Sequence, residues 1–199
     1  MKTKLLTVSI LLLSALALCA QGDQKMAFGV QAGVNIQNLN GQDILGNKLD
    51  NSLATGFHAG VNVMIPVAPD FYFQPGLQFS QKGAKNTVVA VDINYKISYV
   101  ELPLNLLYRG ALGNGYVLLG FGPYVGYAVK ATSVVGDTKT DMDIKALDAG
   151  AGIYAGYETG MGLYLQLNTQ YGLLNMNPND DDSVMKNVGF GLSLGYRFL

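Results

Sequence analysis

Past residue 20 the chain has no apolar run long enough to cross a membrane as a helix, yet period-2 alternation recurs eight times. In the first segment Phe28, Val30, Ala32, Val34 and Ile36 share one face, and Gly29, Gln31, Gly33 and Asn35 share the other. In the second, Phe57, Ala59, Val61, Val63 and Ile65 oppose Gly56, His58, Gly60, Asn62 and Met64. In the third, Phe71, Phe73, Pro75, Leu77 and Phe79 oppose Tyr72, Gln74, Gly76, Gln78 and Ser80. The pattern returns at about 94–109, 115–130, 146–158, 162–172 and 187–199. The connections alternate too. Short ones at 66–70, 110–114 and 159–161 interleave with longer polar ones at about 37–53, 81–93, 131–145 and 173–186. Short turns at one end and long loops at the other mark a membrane barrel, and the expected fold is all-β: an eight-stranded antiparallel up-and-down transmembrane β-barrel.

A soluble eight-stranded barrel alternates as well, with its apolar side chains inside. Composition decides between the two. Charged residues make up only 14% of the chain, against about 25% in soluble domains. The polar face carries Gly, Gln, Asn and Tyr rather than Lys and Glu. Its glycines, among them Gly29, Gly33, Gly120, Gly126, Gly152 and Gly195, belong where space is short. The lumen of an eight-stranded ring is just wide enough for side chains to fill. The bulky apolar face is therefore expected to meet lipid.

Lys2 and Lys4 precede an apolar run from Leu5 to Ala20, the order of a secretory leader, so the domains are read as 1–20 signal peptide and 21–199 barrel. Leu18 before Cys19 argues against lipidation there, since that signal wants a small residue. Cleavage would remove the only Cys and leave 11 positive against 14 negative charges. Thirteen basic against fourteen acidic residues in the whole chain give no footprint for nucleic acid. One Cys and one His exclude a zinc cluster or a two-histidine metal site within one chain.

Five charges fall on the lumen side by parity: Glu101, Arg109, Asp148, Glu158 and Arg197. Glu101, Arg109, Glu158 and Arg197 are expected to form a structural lumen cluster, with Glu158 contacting one or both arginines, because an unpaired charge in a narrow lumen is costly. A charged constriction selecting a permeant is the functional alternative. His58 lies on the same face, with no serine evidently placed to join it, so a hydrogen-bonded structural histidine is expected rather than a catalytic one. Asp180, Asp181 and Asp182 in the last outer loop, and Asp137, Asp141 and Asp143 in the third, lack the Gly and distal Glu of an EF-hand loop. Gly120-x-Gly122-x-x-x-Gly126 opens no helix, so it is no nucleotide loop. No catalytic, cofactor or metal residues are assigned. Pro75, Pro103 and Pro123 lie inside strands and predict bulges or bends. Tyr95, Tyr99, Tyr108, Tyr116, Tyr127, Tyr157, Tyr171, Tyr196 and Phe198 are read as interfacial aromatics.

Gly29-Val30-Gln31-Ala32-Gly33-Val34-Asn35 resembles the opening strand of the PorT-like outer-membrane β-barrel protein family. Tyr99-Val100-Glu101-Leu102-Pro103-Leu104 is similar to its fourth, and Gly120-Phe121-Gly122-Pro123-Tyr124-Val125-Gly126 to its fifth. Asp148-Ala149-Gly150-Ala151-Gly152 resembles the sixth, Gln170-Tyr171-Gly172-Leu173 the seventh, and Gly189 to Phe198 the last. One departure is Leu199 after Phe198, where barrel assembly signals usually end on the aromatic. The resemblance implies a Gram-negative outer-membrane location and the eight-stranded barrel; the founding protein is linked to secretion of exported proteases. The expectation is an integral outer-membrane module, non-enzymatic and without cofactor, with lipid and an envelope or secretion protein as partners. A narrow conduit for small, hydrophobic molecules is the alternative.

Overall fold

In the computed structural model residues 25–88, 91–179 and 181–198 are described. The leader, Cys19, Asp180 and Leu199 lie outside them. Among the described residues nine strands follow in chain order: β1 (Ala27–Gln42), β2 (Ser52–Ala68), β3 (Phe71–Val88), β4 (Val91–Leu112), β5 (Gly115–Val135), β6 (Thr138–Asp141), β7 (Leu147–Thr159), β8 (Leu163–Gly172) and β9 (Val184–Phe198). All pairings are antiparallel. Each ring strand pairs with its sequence neighbour, and the ring closes where β1 meets β9, from Phe28↔Phe198 to Gln42↔Val184. β6 is a short flap on the outer end of β5 and takes no part in the ring of eight.

The faces divide as the alternation requires. Val30, Val34, Phe57, Val61, Leu102, Phe121, Leu167 and Leu194 are exposed around the outside, whereas Asn35, His58, Asn62, Gln74, Glu101, Glu158 and Arg197 are buried within. On β4 the outward apolar row runs from Val100 through Leu102, Leu104 and Leu106 to Tyr108. At ~3.3 Å per residue and a tilt of about 40° it spans on the order of 20 Å, close to the ~25 Å apolar band of outer-membrane barrels.

The strands run further out than their apolar rows. The segment at 81–93, expected to be a loop, is instead a continuous hairpin, paired as far as Val88↔Val91. Alternation continues there with polar residues in the outward positions, so apolar content fades while the ladder persists. The opposite ends turn tightly: Asp70 (φ 62°), Gly113 (φ 60°) and Gly162 (φ 88°) take the left-handed conformation at the three short connections.

The strand prolines interrupt the ladder without forming a bulge. Between β3 and β4 the ladder skips Gly76 and Leu77 but resumes in the same register at Gln78↔Glu101. Between β4 and β5 it skips Leu104 and Asn105, again without slipping. The prolines therefore interrupt the hydrogen bonds without adding a residue. The bulge on this side of the ring lies elsewhere, between Ser98 and Tyr99, where Val129 of β5 is the extra residue.

Inward glycines sit opposite large side chains that fold across them. Gly120 pairs with Tyr154 and Gly195 with Tyr164, and in each case a Cβ on the glycine would lie in the partner's ring. The ring in each pair fills the space that its glycine leaves. Gly195→Val is expected to displace the Tyr164 ring and cost about 1–3 kcal/mol by overpacking, read as a lower urea midpoint for unfolding from lipid vesicles. A midpoint equal to wild type would contradict this packing.

Candidate functional site

The lumen holds two ion-pair clusters at different levels. Near the short-turn end, Glu158 of β7 is shared by two arginines. Arg109 Nη2 of β4 lies 2.7 Å from Oε1, and Arg197 Nε of β9 lies 2.8 Å from Oε2. Arg109 also stacks on Tyr116, its guanidinium carbon 3.2 Å from the ring centre. Arg197 Nη1 donates to Asn62 Oδ1 at 3.2 Å, and Gln74 donates to the same oxygen at 3.1 Å.

Toward the outer end, Glu101 belongs to a separate cluster. Lys82 Nζ of β3 lies 2.6 Å from Glu101 Oε1 and 3.7 Å from Asp148 Oδ2, and all three side chains are fully buried. The ammonium also faces the Tyr124 ring at 4.4 Å and the Tyr99 ring at 5.4 Å. Asn187 Nδ2 and Tyr124 Oη donate to Asp148 Oδ2, and Gln78 Nε2 donates to Glu101 Oε2. The single cluster expected from Glu101, Arg109, Glu158 and Arg197 is thus divided. Glu101 lies apart because β3 carries Lys82 past the end of its apolar row and into the lumen at Glu101's level. Parity from Ser80 would have placed Lys82 inward, had the strand not been ended at residue 80.

Between the clusters lies a polar cavity of about 60 Å³, lined in part by Gln31, Asn35, His58, Gln74, Gln166 and Asn168. That is room for a few waters. The lumen charges sum to zero, three basic against three acidic, but the outer cluster carries one surplus negative and the inner one surplus positive.

Further positions depart from the sequence reading: Tyr95 packs half-buried against the cluster around Ile97 and Tyr99, and Tyr116 lies against the lumen Arg109, so neither is interfacial. Tyr99 is fully buried rather than interfacial; its hydroxyl donates to Met176 Sδ at 2.8 Å and accepts from Asn187 Nδ2. Its parity with Ile97 and Glu101 points inward, which outweighs its aromatic type. His58 has a serine partner after all: Nε2 lies 2.7 Å from Ser193 Oγ, and Nδ1 lies 2.8 Å from Asn35 Oδ1. Asn35 Nδ2 donates to Gln81 O and Ser80 Oγ, so its oxygen must face His58. Nδ1 then carries the proton and Nε2 accepts from Ser193. This chain has the order of a serine–histidine–asparagine relay, but Ser193 is fully buried and offers no face to a substrate.

The outer mouth is covered. Met176, fully buried, folds over Tyr99 and Asn187, held by Met176 N→Met185 O and Lys145 N→Met176 O. Across the mouth, the β1–β2 loop is ordered by Asp43, whose carboxylate accepts from the Leu45 and Asn47 amides at 2.9 Å. Hydrogen bonds from the Asn47 amide and the Asn47 side chain, with a smaller one from the Leu45 amide, hold Asp43 below the usual aspartate range.

A model of the outer membrane protein beta-barrel domain matches residues 19–177. The chain belongs to that family. Among solved structures it is similar to Neisserial surface protein A, at 13% identity and a TM-score of 0.53 over 88% of this chain and 100% of that one. It is likewise similar to OprG from Pseudomonas aeruginosa, at 12% identity and a TM-score of 0.55 over 89% and 98%. At such identities the likeness is one of fold. No protein of curated function matches by sequence. The protein is an outer-membrane barrel of the Gram-negative envelope and sits in its lipid.

Two predictions follow from this chemistry. Lys82→Met leaves two buried carboxylates uncompensated and is expected to cost about 3–5 kcal/mol, measured by urea unfolding in vesicles. Adding Glu101→Gln and Asp148→Asn should recover much of that loss, and no recovery would mean that packing, not charge, sets the effect. For the β1–β2 turn, the depressed Asp43 pKa means that its contribution is full above the usual aspartate range. It is lost as pH falls through the depressed value. Protection of the Leu45 and Asn47 amides, taken as exchange relative to the intrinsic rate at each pH, should fall in acid, and Asp43→Ala should remove that pH dependence.

Proposed function

We propose that this chain is a closed outer-membrane barrel that works as a structural and interaction module, non-catalytic and without cofactor. The double ion-pair closure of the lumen carries the reading: Glu158 with two arginines at one level and Lys82 with two carboxylates at the other. Material crossing the barrel would have to break both in a medium where separated charges are costly. Contacts with other proteins then fall to the outer extension of β3, β4 and β5 and to the loops around Met176. The resemblance to PorT-like proteins favours an envelope or secretion protein as partner. Residues 1–20 act as the export leader in this reading.

The conduit alternative draws on the polar cavity between the clusters, which would be the waiting room of a narrow path. Planar-bilayer recording of the refolded barrel separates the two. The expected result is no conductance step in wild type. Cross-linking in intact outer membranes is expected to capture a defined envelope protein through the outer extension. Steady single-channel steps from wild type, abolished by nothing but blocking the lumen, would sink the closed-module reading.

A further inference from the structure

The outward face of the β3–β5 extension carries three lysines that lie immediately beyond the apolar belt. The last apolar row across these strands is Phe79, Val100 and Tyr127. One row further out stand Gln81, Ser98 and Lys130; the next holds Gly83, Lys96 and Thr132; the third holds Lys85, Asn94 and Val134. Lys130, Lys96 and Lys85 are therefore successive diagonal neighbours, ~7–8 Å apart between backbones. All three are exposed, and among the described residues none of them forms an ion pair. On the same face Lys139 of β6 pairs with Val134, Asp141 pairs with Thr132, and Asp92 stands one row beyond Asn94, so four lysines stand with two carboxylates and the patch is net basic.

Like charges placed diagonally repel, and with two carboxylates against four lysines the patch keeps a positive surplus that an external counter-anion would neutralise. Two features specify that anion. Gly83, opposite Lys96, has no side chain to cover it. Directly below Lys130, Tyr127 and Val129 present exposed apolar surface at 61% and 55%. Cations above and apolar surface below match an amphiphile with a phosphorylated head and acyl chains, standing where the bilayer already meets the barrel.

We propose that Lys85, Lys96 and Lys130 form a binding site for the phosphorylated sugar headgroup of an outer-leaflet glycolipid, whose acyl chains lie against Val100, Tyr127 and Val129. The amines donate to phosphate oxygens directly, as point charges rather than a bidentate fork. The bulge at Ser98/Tyr99 supports the site, because Val129 as an extra residue aims Lys130 outward instead of into the lumen.

The test is titration of the folded mature chain in detergent micelles with fluorescent bis-phosphorylated lipid A, with EDTA present. Folding is checked by heat-modifiable gel migration. Each of Lys85→Gln, Lys96→Gln and Lys130→Gln is expected to weaken binding about five-fold, from roughly 1 kcal/mol per near-surface lysine. The triple variant should lose on the order of 100-fold, while Lys25→Gln with Lys48→Gln stays near wild type. Dephosphorylated lipid A should bind far more weakly. Equal binding by the triple variant, or an equal loss in the control pair, would overturn the proposal. So would dependence on divalent cations, which would route binding through Asp141. Inorganic tripolyphosphate binding as tightly as lipid A would make this a site for soluble polyanions and overturn the lipid assignment. Should the triple variant not fold, the three single variants carry the same comparison.

Discussion

Everything in this barrel depends on a lumen too narrow to hydrate the charges inside it. A ring of eight strands leaves room for side chains and little else, so each polar group in it must find its partner in the protein. Glycines make this possible by letting Tyr154 and Tyr164 fold across Gly120 and Gly195. The Tyr154 hydroxyl then donates to Gln74 Oε1, the Tyr164 hydroxyl accepts from Asn62 Nδ2, and Asn62 Oδ1 accepts from Arg197. The chain of contacts ends at Glu158. Removing one partner from such a network exposes the others to the full cost of desolvation. Closure of β1 on β9 and pairing of the lumen charges are thus one condition, since Arg197 is held on β9 opposite Gly29 of β1.

The charge balance within the lumen is divided, and this division limits what the barrel can do. A surplus negative at the outer cluster faces a surplus positive at the inner one, with neutral Gln and Asn side chains between. Among the described residues Asp148 Oδ1 and Asn187 Oδ1 find no hydrogen-bond partner at the outer level. The outer cluster is therefore the less satisfied of the two. It is also the one that Met176 covers, so the weaker closure carries the cap.

Strand number, face and inward charges were legible because each rests on a period of two, which needs no tertiary information. Glu158 with Arg109 and Arg197 could be foreseen from parity and strand ends alone. Lys82 could not, because the apolar half of its strand ends at Phe79 and the polar continuation looked like a loop. Ser193 escaped for another reason: β1 and β9 are joined only by closure, and the short lateral reach from His58 across Gly33 to Ser193 leaves no trace in local pattern. Tyr99 was legible and misread, its residue type being given more weight than its place between Ile97 and Glu101.

The bulge between Ser98 and Tyr99 shows how much a single residue decides. Lys130 shares parity with Tyr124 and Gly126, both of which face inward. On a regular strand it would enter the lumen beside Lys82 and cancel the surplus negative charge of the outer cluster. Val129 as an extra residue shifts the phase, so Ala128 still faces in against Tyr99 while Lys130 turns out beside Ser98. A shift of one residue exchanges the two faces of everything beyond it. The same bulge therefore keeps the lumen electrically neutral and supplies a cation to the outer surface. An account of this barrel that treats its lumen and its lipid-facing side as independent would miss that both are set at that one point in β5.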